Sequence, residues 1–254
     1  MIIISLQSGS NGNCIYVEAE DQKLLFDAGI SGVKAERRLA RHGRDIREVN
    51  ALIISHEHGD HVRSAGIFNR KYGIPVYMTR KTLDATARHL DLGPMKDMRH
   101  FISGEKLAFG PVVVETVPTP HDGADGVAFV VANQGRRLGV LTDLGHVFDG
   151  LTEVIATLDA VLIESNYDPR MLKEGPYPPM LKKRIMGPGG HLSNEETATL
   201  LKKAGTKLSW ACLAHLSEQN NAPPIALETY REIIGDAFPL VVASRYGVGS
   251  VLSL

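Results

Sequence analysis

Residues 56–61 read His-Glu-His-Gly-Asp-His and follow the apolar run Ala51-Leu52-Ile53-Ile54-Ser55. Imidazole and carboxylate groups packed this densely constrain the fold more than any other stretch, because some scaffold must converge them. A strand sends its side chains alternately up and down. Interrupted at Gly59, it sets His56 and His58 to one side and swings Asp60 and His61 toward a neighbouring point. That arrangement suits two metal ions better than one. The alternative is a strand end whose histidines are only solvated, and it would crowd like polar groups without partners to satisfy them.

The chain has 254 residues, enough to bury a sizeable core as one domain or two. A formal net charge of -1 provides no global field for nucleic acid or membrane, so an anionic substrate must be attracted locally. Cys14 and Cys212 lie in apolar strand-like runs and read as small core residues in a reducing compartment. The opening run Met1 to Leu6 lacks a basic leader and passes straight into Ser8-Gly9-Ser10-Asn11-Gly12-Asn13, so it reads as a first strand and not as a signal peptide. No stretch reaches the length of a membrane span without charges, and a cytoplasmic protein is expected.

Strands are expected at residues 14–17 and 24–27, then a helix from Val33 to Arg41 and a strand at Ala51 to Ile54 leading into the His cluster. Val62 to Tyr72 reads as one helix with Ile67 and Phe68 inward, and Thr79 caps another that runs to Leu90. His89 and His100 read as solvated surface histidines. Hairpin strands around 107–117 end in a Pro-stiffened loop carrying His121, and a second hairpin, 127–132 and 137–141, stops at Thr142-Asp143. Strand 160–163 ends at Glu164-Ser165-Asn166. The Pro/Gly-rich stretch Pro169 to Gly190 reads as an excursion with one short basic helix, 181–186. Ser193-Asn194-Glu195-Glu196 is a capping box just after His191, strand 209–214 ends at His215, and helix 225–234 precedes two last strands. Strands thus repeatedly end in His, Asp or Glu. The similar layouts of the first and last thirds predict two half-sandwiches around one site within a single domain, 1–254.

The order His-x-His-x-Asp-His, then a single His, an Asp after an apolar strand and a late His resembles the metallo-β-lactamase superfamily over the whole chain. The resemblance implies an α/β (α+β) fold, a four-layer αββα sandwich. It also implies two divalent metal ions: His56, His58 and His121 on one, Asp60, His61 and His215 on the other, and Asp143 bridging. Ligand type suits zinc or manganese and also iron. Lactam-hydrolysing members commonly use a cysteine near the place of Asp143, which argues against a β-lactamase. Asp27 matches an early Asp of the superfamily and is expected to orient the metal-binding loop by hydrogen bonds and not to ligate.

Local motifs are similar to those of the YycJ/WalJ nuclease family, whose relatives include RNase Z and the cyclic phosphodiesterase PhnP. They are Ser8 to Asn13, Thr142-Asp143-Leu144-Gly145, Glu164-Ser165-Asn166, Tyr177-Pro178 to Ile185, Gly190 to Asn194 and His215 to Asn221. Two departures are Tyr167, where relatives often carry His, and His146, where they carry an aromatic. The resemblance implies a 5′-to-3′ DNA exonuclease that cleaves phosphodiesters with a metal-bridging hydroxide, Asp60 orienting it and His191 supplying a proton to the leaving oxygen. It points to DNA more than RNA and admits a homodimer. Candidate substrate contacts are Ser8, Ser10, Asn11, Asn13, Glu164, Asn166, Asn220 and Asn221, although the 8–13 loop reads equally as a phosphate cradle or a tight turn. The runs Lys182-Lys183-Arg184 and Arg136-Arg137 read as nucleic-acid contacts or as solvated faces. Competing functions are a small-molecule phosphodiesterase, a thioesterase of the glyoxalase II type, and a non-catalytic metal- or nucleic-acid-binding module.

Overall fold

Short, largely buried apolar runs at the start of the chain pair as three antiparallel strands, β1 (Ile2–Gln7), β2 (Cys14–Ala19) and β3 (Gln22–Phe26), in the computed structural model, which describes residues 1–254. The next strands are β4 (Ala51–Ile53), β5 (Val76–Thr79) and β6 (Met98–Phe101). They follow in parallel, and β14 (Leu252–Ser253) closes the edge beside β1. One face of this mixed sheet carries every second residue: Ile4 and Leu6, Cys14 and Tyr16, Leu25, Leu52, Val76 and Met78. These bury against α1 (Gly32–Ala40) and α3 (Ala65–Tyr72) through Ala35, Leu39, Phe68 and Tyr72. Residues Met1–Pro118, Gly123–Val127 and Ser244–Ser253 form this first unit, which also holds the hairpin of β7 (Lys106–Phe109) and β8 (Val112–Pro118).

The second unit comprises Thr119–Asp122, Ala128–Ala243 and Leu254. Its strands are β9 (Val127–Asn133), β10 (Arg136–Leu141), β11 (Ala160–Glu164), β12 (Ala211–Ala214) and β13 (Leu240–Val242). The first two form a hairpin, and β10, β11, β12 and β13 run parallel. Strands β10 to β12 are near-continuous apolar runs, as parallel strands usually are. Helices α5 (Leu151–Ala156), α8 (Asn194–Ala204) and α9 (Pro223–Ile234) pack around them, with α8 between the other two. Ser193 caps α8 in a full capping box with Glu196, as its sequence predicts. No helix in the chain is long and apolar enough to cross a membrane.

Register places the chemistry. In the first sheet Phe26 pairs with Ile53, so β3 and β4 end together and Asp27 emerges beside Ser55. In the second, Leu141, Ile163 and Leu213 are aligned across three parallel strands, so Asp143, Glu164 and His215 emerge at one edge. Ligand sites of open α/β sheets form at such carboxyl ends.

Several elements differ from expectation. Strand β4 stops at Ile53, so His56 and His58 lie in the loop beyond it and not on one side of a strand. Gly59 opens a helical turn, α2 (Gly59–Val62), because the His58 carbonyl accepts from His61 and Val62 N–H groups at 2.8 and 3.1 Å. The expected helix 62–72 is interrupted where Ser64 N–H is diverted to the Ala28 carbonyl, 3.0 Å away. The interruption turns Ile67 outward, while Phe68 is buried. Strand β6 escaped the sequence reading because only Phe101 among its four residues is buried. The 169–190 excursion holds two helices, α6 (Pro169–Glu174) and α7 (Pro179–Ile185). Their prolines sit at the first turn, where they favour a helix.

The 27–30 loop is knitted backbone to backbone. Gly29 N–H meets the Asn13 carbonyl at 2.8 Å, Ala28 N–H meets that of His61 at 2.6 Å, and Asn13 N–H meets that of Asp60 at 2.7 Å. A β-carbon on Gly29 would lie 1.6 Å from the Asp60 carbonyl oxygen, whereas one on Gly59 would meet nothing within 4 Å. Gly29→Ala is expected to cost about 3 kcal/mol in urea unfolding, because only backbone can yield there. Gly59→Ala is expected to stay within about 0.5 kcal/mol of the parent.

Candidate metal centre and active site

In the first unit the buried carboxylate of Asp27 organises the motif. Its Oδ1 accepts from Ser55 N–H at 2.8 Å and from the Ser55 hydroxyl at 2.9 Å, and its Oδ2 lies 2.7 Å from His61 Nδ1. A carboxylate can only accept, so the His61 proton sits on Nδ1 and the lone pair on Nε2. Asn13 Nδ2, 3.0 Å from that Nε2, fits the same tautomer. The Ser55 hydroxyl is also 2.9 Å from His56 Nδ1. Buried His56 and His61 and half-buried His58 and Asp60 thus share one short segment, and Glu57 ties it to residues 123–127 by accepting Ala124 N–H at 2.8 Å.

The second unit repeats the device. Glu164 is fully buried at the end of β11, and its Oε2 accepts from Leu144 and Leu192 N–H groups at 3.1 and 3.2 Å. Its Oε1 lies 2.6 Å from His191 Nδ1 and 3.3 Å from His215 Nδ1. Burial pushes this carboxyl up, but the charge of His191 and the hydrogen bonds from His191 and His215 outweigh it and lower it to about 2. Ionised Glu164 therefore fixes the protons of both rings on Nδ1. His121 is held likewise, its Nδ1 2.8 Å from the Gly190 carbonyl and its Nε2 3.6 Å from Asp143 Oδ1. Asp143, Glu164, His191 and His215 each offer a donor atom, all within 4.8 Å of one another.

Three of the strand-end residues have left-handed backbones: Asp27 at φ 64°, Asp143 at φ 54° and His215 at φ 55°. Non-glycine residues pay for that conformation, and such strain collects at functional sites. Imidazoles whose Nδ1–H is held by a carboxylate or carbonyl, beside carboxylates, are the donor set of a divalent metal site. The residues present fit such ions.

Other candidates have different placements. Asn13 is buried, and its side chain accepts Gly9 N–H at 2.8 Å and donates to the Gly9 carbonyl at 3.1 Å. Gly12 N–H reaches the Gly9 carbonyl, and Ser8 N–H the Ser244 carbonyl. The 8–13 loop is therefore a tight turn whose amides largely serve the protein; Ser10 and Asn11 lie at its exposed tip. Asn166 donates to the His215 carbonyl at 2.8 Å, and Asn221 to the Ser165 and Asn166 carbonyls at 2.9 and 3.1 Å. Asn166 and Asn221 are buried amides that brace strand ends, and buried Asn220 donates from Nδ2 to the Ser217 hydroxyl at 3.3 Å. Tyr167 packs with Leu172 and Ile185 under the excursion, so its ring belongs to a small apolar cluster. His146 Nδ1 lies 2.7 Å from the Pro188 carbonyl. His89 and His100 are exposed, as expected. The sequence reading missed Ser55; its position between a strand and the first motif histidine was the available signal.

A family model described as the Metallo-beta-lactamase superfamily matches residues 8–215. The chain is 35% identical over 250 residues to Exodeoxyribonuclease YycJ of Bacillus anthracis, covering 98% of this chain and 92% of that protein. It is 36% identical over 224 residues to Exodeoxyribonuclease WalJ of Streptococcus pneumoniae serotype 2 (strain D39 / NCTC 7466), covering 87% and 83%. Among solved structures it is similar to the metallo-beta-lactamase fold protein YhfI from Bacillus subtilis, with TM-score 0.75, 14% identity and coverage of 99% and 98%.

The strained backbone at residue 215 is separable from its side chain. Both His215→Ala and His215→Gly delete the imidazole, but only alanine keeps a β-carbon at positive φ. In metal-free protein the glycine variant is expected to be more stable than the alanine variant by about 1 kcal/mol, measured by urea unfolding.

Proposed function

We propose that this chain, which belongs to the metallo-beta-lactamase superfamily, has its α/β fold of two mixed sheets flanked by helices and is a metal-dependent hydrolase, is a 5′-to-3′ DNA exonuclease with a dinuclear centre, and that its two units act as one catalytic domain. In this reading His56, His58 and His121 would hold one ion, Asp60, His61 and His215 would hold the other, and Asp143 would serve both, with zinc or manganese, or else iron, as the metals. Support comes from the order of these residues along the chain, from the tautomers described above, and from relatives named as exodeoxyribonucleases. Divalent ions held there would supply Lewis acidity toward a phosphoryl oxygen and bring the pKa of a water toward roughly 7.

The protein's own groups supply the rest. Asp60 orients the attacking water. His191, with Nδ1–H fixed on Glu164 at 2.6 Å, can carry a second proton on Nε2 and give it to the departing oxygen. That pair is the observation that favours phosphodiester over thioester hydrolysis. A sugar alkoxide is a poor leaving group without a proton, whereas a thiolate, with a thiol pKa of about 8.5, departs without one.

The basic run of α7 contributes less than its composition suggests. Arg184 pairs with Asp122 at 2.6 Å and Lys182 Nζ donates to the Lys173 carbonyl at 2.7 Å, while Lys183 is exposed. Arg136 and Arg137 engage Asp159 and Thr157. Of these runs, we assign exposed Lys183 to a phosphate backbone.

Replacing His191 with Ala is expected to leave metal content, measured by elemental analysis, at the parental level. The same change should slow release of nucleotides from 5′-phosphorylated, end-labelled duplex DNA by roughly 10²- to 10⁴-fold. Unchanged turnover would remove His191 from the mechanism. A parent protein that hydrolyses thioesters but no DNA would overturn the nuclease reading.

A further inference from the structure

The excursion of α6 and α7 folds on an apolar cluster of its own. Leu172 and Ile185 bury with Tyr167, Leu181 packs against them, and Lys182 Nζ donates to the Lys173 carbonyl at 2.7 Å. Leu181 and Ile185 lie on successive turns and mark the inner face of α7. Each residue of a helix turns by about 100°, so Lys183 lies opposite that face with Met180 and Met186 on either side of it. All three are exposed, and Met180, at 86%, is the most exposed large apolar side chain of the protein. The inner face is enough to seat the helix, so the outer methionines serve something other than folding.

Charge indicates what such a face meets. Residues 169–190 hold Arg170, Lys173, Lys182, Lys183 and Arg184 against one acid, Glu174, in a chain whose formal net charge is -1. Asp122 offsets Arg184, and the rest of the excursion stays cationic. The end of a DNA duplex, an open base-pair face ringed by phosphates, complements both the methionines and the charge. The C-terminal end of α7 also adjoins the groups assigned to the reaction. The Ile185 carbonyl accepts His191 N–H at 2.9 Å, the Gly189 carbonyl accepts Asp122 N–H at 3.0 Å, and the Gly190 carbonyl lies 2.8 Å from His121 Nδ1. A β-carbon on Gly190 would come within 2.0 Å of the Ile185 carbonyl oxygen, so this junction has no slack. With a helical rise of about 1.5 Å per residue, Met180 stands roughly 8 Å along the axis from Ile185, about two base-pair steps.

We propose that α7 is a wedge for the end of a DNA duplex, Met180 and Met186 pressing into the terminal base-pair stack while Lys183 holds a phosphate of the strand and the freed 5′ nucleotide passes to His191. The proposal rests on the nuclease reading. A paired 5′ end keeps its first nucleotide in the stack, so an exonuclease has to open base pairs as it advances, and unstacking costs free energy at each step. Apolar side chains, methionine among them, offset that cost by replacing the stacking contact they break. The unbranched, polarisable methionine side chain adapts to any base, as an enzyme that degrades without regard to sequence requires.

The test measures release of the first nucleotide by the metal-loaded full chain from two 5′-phosphorylated duplexes, one fully paired and one mismatched over its terminal base pairs. The readout is the ratio of the paired to the mismatched rate, which cancels any general loss of activity. Changing Met180→Ala and Met186→Ala together should lower that ratio about ten-fold, and Met180→Leu with Met186→Leu should stay within about two-fold of the parent. An unchanged melting temperature establishes that the fold is intact. If the parent degrades DNA and the alanine pair leaves the ratio as it was, the wedge is wrong and the nuclease reading stands. A dimer in sedimentation that the alanine pair dissolves, with the ratio unchanged, would give the face to a second copy instead. If the parent degrades neither duplex, both readings fall.

Discussion

An ionised carboxylate enclosed at the end of a parallel strand is the constraint on which each half of the chemistry depends. Placing such a charge in the interior costs several kcal/mol unless donors surround it. Glu164 meets that cost with two backbone N–H groups and two imidazoles, and Asp27 with the Ser55 N–H and hydroxyl and one imidazole. The donors that stabilise the carboxylate are the same rings whose tautomer it sets. Removing either partner would leave the other uncompensated, so folding and the orientation of Nε2 atoms are settled together.

The parallel register is what makes this possible. Because Phe26 is level with Ile53, and Leu141 with Ile163 and Leu213, residues distant in sequence emerge within hydrogen-bond reach with no long loop to order. The left-handed turns at Asp27, Asp143 and His215 then bend each chain sharply as it leaves its sheet. Such turns are paid for by the packed strands behind them, which is why rigid elements rather than mobile loops carry the site.

Much of this was legible in the sequence. Apolar runs ending in His, Asp or Glu gave the strand ends, and Ser193 to Glu196 gave the cap of α8. What was illegible depended on partners far along the chain. The split between α2 and α3 arises because Ser64 N–H bonds to Ala28, and no property of residues 62–65 announces that. Asn166 and Asn221 look like a polar surface motif, but they are buried and brace carbonyls at strand ends. The 8–13 loop has the composition of a phosphate cradle, but its amides at Ser8, Gly9, Gly12 and Asn13 bond to Ser244, Asn13, Gly9 and Asp60.

The pairing of β14 with β1 has a temporal consequence. Ile2 is matched with Ser253, and Ser8 is bonded to Ser244, so residues 2–8 wait for residues 244–253 before that sheet edge is closed and the 8–13 turn is latched. During synthesis β1 offers an unpaired edge of Ile2, Ile3 and Ile4, a template for association with other nascent chains. The first unit therefore completes its fold only after translation of residues 244–253, and the turn that braces His61 and Asp60 is secured only then.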